Sequence, residues 1–206
     1  MFKFKILVKA SLNTQKIYIW LLLCALIFFT ACSEVPLVDG EVVTPTVETT
    51  IEVLAGNSTP SEIEEDLFQK INTVRQNGQI CQSVFYTKSN SLVWNVALAG
   101  AAKSHVMDVL ELHAQGVINV RTNAPPHEGS DGKRVDDRAE SQGYEFNTIA
   151  ENLASASNAS PNTDKVLSSW LSSTQGHCEV LVQDNLQDIG LYFENGVWAA
   201  VFGEPK

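Results

Sequence analysis

Apolar residues return at intervals of three and four in three stretches of the chain, and alternate only near its end. Ile63, Leu67, Ile71 and Val74 fall on one face of a helix. Ser61 opens that helix with Glu64 three residues on, the spacing of a capping box, and Gly78 closes it, leaving Cys81 in the following loop. Leu98, Ala102, Val106, Val109 and Leu112 or His113 make the stripe of a second helix, capped by Asn95 after Leu92-Val93-Trp94 and stopped by Gly116. Ala97, Ala99, Gly100, Ala101 and Ala102 crowd its first turns, so another element is expected to pack close there. Val166, Leu167, Trp170 and Leu171 mark a helix capped at Asn162 or Thr163 and terminated by Gly176. Lys133 to Gln142 reads as a shorter helix with Gly143 as its stop, Val135 and Ala139 facing in, and Arg138 placed to pair with a carboxylate.

The period then changes. Ile189, Leu191 and Phe193 alternate, Asn195-Gly196 is a tight-turn pair, and Val197, Ala199 and Val201 alternate on the return, which predicts a hairpin. With a strand near Phe146 to Ile149, the pattern predicts an α+β domain whose helices cover a small antiparallel sheet.

The amino-terminal stretch follows a different logic. Lys3, Lys5, Lys9 and Lys16 precede an uncharged run from Ile17 to Phe29. That run is shorter than the roughly 20 residues a membrane-spanning helix needs. It leads to Phe29-Thr30-Ala31-Cys32, which resembles a bacterial lipobox with phenylalanine where leucine is usual. The expectation is a signal peptide over residues 1–31, an acylated Cys32, and a tether to residue 60 rich in Thr, Val, Glu, Pro and Ser. An uncleaved signal anchor and an edge strand from Val42-Val43-Thr44 are the alternatives. Ser33, rather than aspartate, after the cysteine favours the outer membrane. The folded domain is expected over residues 61–206, enough chain for a single core.

Composition narrows the partners. The chain has 14 basic and 24 acidic residues, a formal charge of −10 that becomes −14 if the four leader lysines are removed. Such a chain repels phosphate backbones, so nucleic acid is not an expected partner. Of four cysteines, Cys24 lies in the leader and Cys32 at the expected lipid site. Cys81 and Cys178 remain, an even pair in an oxidising compartment, and are expected to be bonded. The alternative is Cys178 as a nucleophile beside His177.

The candidate chemistry sits in two polar islands. The longer runs from Pro126 to Ser157 and carries His127 after a double proline, then Arg138, Glu151 and Asn152. The shorter is Gly176-His177-Cys178, with Ser173 just before it. His105, on the second helix, reads equally well as a histidine packed beside the core.

In order along the chain, these pieces resemble the bacterial branch of the CAP superfamily, which groups cysteine-rich secretory, antigen 5 and pathogenesis-related 1 proteins. The resemblance rests on Leu92-Val93-Trp94-Asn95, His105 with Asp108, His127 with Gly129-Ser130-Asp131-Gly132, and Arg138. It continues through Gly143-Tyr144, Glu151-Asn152-Leu153-Ala154, Trp170 with Ser173, Gly176-His177-Cys178, and Trp198 with Phe202-Gly203. It spans about residues 62 to 203 and implies a three-layer α-β-α sandwich around a small central antiparallel sheet. Cys81 and Cys178 match a pair found in some bacterial members.

The family's cleft holds two histidines and two acidic residues. By that resemblance His127 matches the first histidine, Glu151 the glutamate before asparagine, and His177 the histidine that bacterial members place after the Trp-x-x-Ser helix, with Arg138, Asn152 and Ser173 as supports. Three departures follow. The loop before His127 is longer than usual, which leaves His113 as a rival. The second acidic position falls at Ser173. The last-strand histidine of animal and plant members falls near Val197-Trp198.

Two neutral imidazoles and a carboxylate suit zinc or another divalent cation with water as a fourth ligand. The same groups suit acid–base chemistry without metal, or a hydrogen-bond network that closes the cleft. No other cofactor is implied, and no nucleophile-elbow or zinc-protease signature stands in the chain. The expectation is an envelope binding module, held to the membrane by lipid, that presents a cation-containing or polar cleft to a lipid, glycan or protein. The alternatives are a metal-assisted hydrolase using His127, Glu151 and His177, and a surface interaction protein with a vestigial cleft.

Overall fold

A computed structural model describes residues 59–156 and 159–206. The expectations for the leader, Cys24, Cys32 and most of the tether lie outside these residues. No helix among the described residues is long and apolar enough to cross a membrane.

Helix α1 runs Glu62–Asn77. Its capping box forms as expected, with Ser61 N donating to Glu64 Oε2 at 2.8 Å. The other oxygen of Glu64 accepts from Phe193 N at 3.2 Å, so one carboxylate caps the helix and fixes it to the last hairpin. A short hairpin, β1 (Gln79–Cys81) and β2 (Val84–Tyr86), follows where a loop was expected. Its turn residues, Gln82 and Ser83, both adopt positive φ without a glycine or asparagine to advertise it. Next come β3 (Val93–Trp94) and α2 (Val96–Ala114), then α3 (Val135–Ser141) and β4 (Phe146–Ser155). Helices α4 (Thr163–Leu171) and α5 (His177–Val182) precede β5 (Asp188–Glu194) and β6 (Val197–Pro205).

The main sheet has the order β3-β5-β6-β4. Its three long strands are antiparallel, and the two-residue β3 adds a parallel edge beside β5. The Asn195-Gly196 turn joins β5 to β6 as expected, with positive φ at both residues. Strand β6 is central and buried on both faces, which explains its continuous apolar run. Trp198, Ala200 and Phe202 face a core built with α1, α4 and α5. Val197, Ala199 and Val201 face a second core built with α2 and α3. These two cores on one sheet are the three-layer α-β-α sandwich.

The crowded first turns of α2 meet β5. A side chain at Gly190 would overlap the backbone at Leu98 and Ala99, so only glycine there lets helix and strand approach this closely. Cys81 and Cys178 are disulfide-bonded, clamping the β1–β2 hairpin to α5 and removing Cys178 as a nucleophile.

Two expected boundaries move. The helix expected to run to Gly176 ends at Leu171, and Gly176, with φ of 92°, instead precedes α5. Glu151, expected at the end of a strand, lies in the middle of β4 opposite Val201. Asn152 to Ser155 continue the strand because β6 supplies a full ladder of partners.

Candidate functional site

Four elements converge on Glu151. Strand β4 carries it, α3 brings Arg138, the loop after Pro125-Pro126 brings His127, and α2 brings His105 beneath. Arg138 Nη2 donates to Glu151 Oε1 at 2.8 Å. His127 Nδ1 donates to Oε2 at 2.8 Å. The Glu151 side chain is 1% exposed while that of His127 is 49% exposed, so a buried carboxylate orients an imidazole that reaches solvent. With Nδ1 protonated toward the carboxylate, a neutral His127 keeps its bare Nε2 on the outward side.

Arg138 also ties down the loop it meets, donating to Lys133 O at 2.8 Å and to His127 O at 3.2 Å. The loop is held again from α2, where Asp108 accepts from the backbone and the hydroxyl of Ser130. His105 is 1% exposed. Its Nε2 donates to Pro126 O at 2.8 Å and lies 4.0 Å from Glu151 Oε2. Burial pushes its pKa down, which the charge of Glu151 partly opposes. The neutral ring leaves Nδ1 unprotonated and, among the described residues, without a hydrogen-bond partner. His105 thus belongs to the floor of the site. Its spacing of three residues from Asp108 on α2 is the sequence signal that could have placed it there.

His177 opens α5 on the far side of β4. Its Nδ1 lies 2.8 Å from Ser173 Oγ, which in turn accepts from Gln175 N at 3.1 Å. Asn152, the neighbour of Glu151, donates to His177 O at 3.0 Å and ties β4 to the start of this helix. Burial lowers the His177 pKa, and a positive charge on His127 lowers it further. His177 is therefore close enough to feel His127 but is held by Ser173 and Asn152, not by Glu151. His113 stays near its own helix end, with Nδ1 3.3 Å from Ile118 O, so His127 is the histidine that meets the carboxylate.

The structure brings His127, Glu151 and Arg138 into one hydrogen-bonded cluster, and His177, Ser173 and Asn152 into a second one beside it. Both oxygens of Glu151 are engaged. Among the described residues, no group of three or more His, Cys, Asp or Glu side chains is arranged to hold a metal ion. The zinc-type set expected as one alternative therefore lacks its convergence here. A cavity of about 570 Å³ opens beside His177, with Ser173, Gln175, Asn123 and Ser155 in its wall. A smaller one of about 250 Å³ lies against Arg138, His105 and Asp108.

The α-β-α sandwich and the bonded His127–Glu151 pair fit a CAP-type domain. The sequence signature of the cysteine-rich secretory protein family matches residues 68–196, and the chain belongs to that family. Solved structures share the fold. An outer surface protein of Borrelia burgdorferi has 22% identity and a TM-score of 0.53, over 71% of this chain and 95% of that one. An extracellular protein containing an SCP domain, from Bacillus anthracis, has 18% identity and a TM-score of 0.50. A cysteine-rich secretory protein of Staphylococcus aureus has 15% identity and the same TM-score. The match covers 72% of this chain in both, but only 45% of the Bacillus chain and 41% of the Staphylococcus chain. No curated protein matches the sequence. At these identities the likeness establishes fold and leaves function to the site.

Proposed function

We propose that this protein is a cell-envelope lipoprotein whose CAP domain binds a polar ligand in the cleft beside His177 and performs no chemistry on it. The observation that carries this reading is the burial of Glu151 with both of its oxygens engaged. Its carboxylate is buried, with one oxygen bonded to Arg138 and the other to His127. A carboxylate only 1% exposed and held through both oxygens is poorly placed to reach a cation or a water in the cleft, which disfavours the metal-assisted hydrolase. Glu151 instead fixes His127, while its neighbour Asn152 ties down the start of the helix whose His177 lines an open, hydroxyl-lined cleft, a surface that suits recognition.

The envelope placement draws on the leader and Cys32, on the disulfide, and on the extracellular and outer-surface proteins that share the fold. Lipid at Cys32 would hold the domain at the outer membrane through residues 33–60.

The test is spectroscopic. The isotope-labelled protein is mixed in turn with protein, lipid and polysaccharide fractions of a bacterial envelope. Binding by one fraction should shift resonances of residues 121–124 and 172–177 and leave that fraction's mass spectrum unchanged. Cleavage of a component, abolished by His127→Ala, would overturn the reading in favour of an enzyme.

A further inference from the structure

The cleft beside His177 reverses the charge of the chain that builds it. The cavity of about 570 Å³ and a neighbour of about 310 Å³ share Ala154, Ser155 and Ser169 in their walls, making one elongated trough along the end of β4 and one face of α4. Arg121 and His177 line the larger part and Lys165 the smaller. Among the described residues, no aspartate or glutamate lines either part, although the chain has 24 acidic residues against 14 basic ones. The nearest acid in sequence, Asp164, is turned to Lys70 at 2.6 Å, while Lys165 makes no ion pair among the described residues.

The remaining wall is mostly hydroxyl and amide. Ser172, Thr174, Gln175 and Asn123 stand on one side, Ser155 and Ser169 at the junction, and Asn162 at the far end. Ser155, Ser169 and Ser172 donate to backbone carbonyls and keep acceptor sites, Asn162 keeps its amide donors, and Thr174, Gln175 and Asn123 can do both, which suits a ligand studded with hydroxyls. An acyl chain would find only Leu153, Val166, alanines and the edge of a buried Trp170. A ligand that is elongated, rich in hydroxyls and negatively charged at intervals satisfies all of these features.

Building on the binding-module reading, we propose that the trough holds a strand of acidic polysaccharide. Its sugar hydroxyls bond the serine and amide wall, and its carboxylate or sulfate groups meet Arg121, His177 and Lys165. An anionic group beside His177 favours the protonated ring, against the burial and the His127 charge that lower its pKa. Glu179 on the same helix acts in the same direction as the ligand. Ser173 can hydrogen-bond either form of the ring. Binding therefore tightens as pH falls below the ordinary imidazole value of 6.5.

The full-length protein in non-ionic detergent is titrated calorimetrically with oligogalacturonate, dextran sulfate oligomers and neutral dextran oligomers of equal length. At least one acidic glycan should bind about tenfold or more tightly than dextran, and whichever does identifies the charged group. Raising salt from about 50 to 200 mM should weaken it several-fold. Arg121→Glu combined with Lys165→Glu should abolish the preference, while Lys88→Glu, remote from the trough, should leave it intact. Equal affinity for dextran overturns the charge argument, and unchanged binding in the double variant overturns the location. Competition by phosphatidylglycerol vesicles would point to a lipid surface instead. Silence toward all three glycans overturns the proposal. The binding-module reading would still stand if another envelope fraction shifts the cleft residues.

Discussion

Two arginines are buried in this domain, and they do different work. Arg75, on α1, is 0% exposed and meets no carboxylate among its hydrogen-bond partners. It donates to the carbonyls of Asn90, Leu181, Gln183 and Leu186 at 2.7 to 3.0 Å, gathering the loop before β3 and the end of α5 around one guanidinium. Burial pulls its pKa down, with only Asp184 acting against it. Arg138, on α3, is 5% exposed and spends one nitrogen on Glu151, whose other oxygen holds a solvent-reaching imidazole. Burial of a guanidinium is thus no sign of a functional site by itself. The partner decides: carbonyls make Arg75 a structural bolt, and a shared carboxylate makes Arg138 the support of a solvent-reaching histidine.

Breaking each cluster separates the two roles, starting with the largest effect. Arg75→Ala strips four carbonyls of their donor, and chemical denaturation should show a loss of about 4–5 kcal/mol or a failure to fold. Arg75→Lys should not restore it, because an ammonium cannot span the same fork. Glu151→Ala leaves Arg138 buried without its charge partner and should cost about 3–4 kcal/mol by the same measurement. It should also release His127, seen as a changed imidazole resonance. If the two variants lost stability equally and neither moved the His127 signal, the division between bolt and histidine support would fail.

Replacing Cys81 and Cys178 by serine opens a loop of 97 residues and should lower stability by about 2–4 kcal/mol. The loss should fall on the Arg75 side, since the disulfide clamps α5 there, and leave the His127 resonance in place. A pH series gives the smallest effect. His105 and His177 both have pKa values held below 6.5 by burial. The unfolded chain then binds more protons than the folded one below that value. Stability should be fully present above about pH 6.5 and decline as pH falls below it. His105→Phe should flatten part of that decline. A slope unaffected by either histidine would place the acid sensitivity elsewhere.

Much of the frame was legible because it obeys local rules. The capping box at Ser61, the Asn95 cap, the stripe of α2 and the Asn195-Gly196 turn all announce themselves in short windows. His127 and Glu151, singled out in the sequence, are hydrogen-bonded to each other, whereas His177 is held by Ser173 and Asn152, a grouping that the sequence did not display. Glu151 looked like a strand end because the alternating run was read only to Ile149, and it is the pairing with β6 that carries the strand on to Ser155. The β1–β2 hairpin turns on Gln82-Ser83, a pair with no turn signature. His105 and Arg75 sit within helical patterns, where a buried polar side chain looks no different from a solvated one until its distant partners are known.

The central proposal is that Glu151, buried and held by Arg138 and His127, supports a binding domain rather than a metal or catalytic centre. Calorimetric titration of the wild-type protein with zinc at pH 7.5 tests it most directly. The account predicts no saturable heat. One-to-one binding that disappears in both Glu151→Gln and His127→Ala would contradict it.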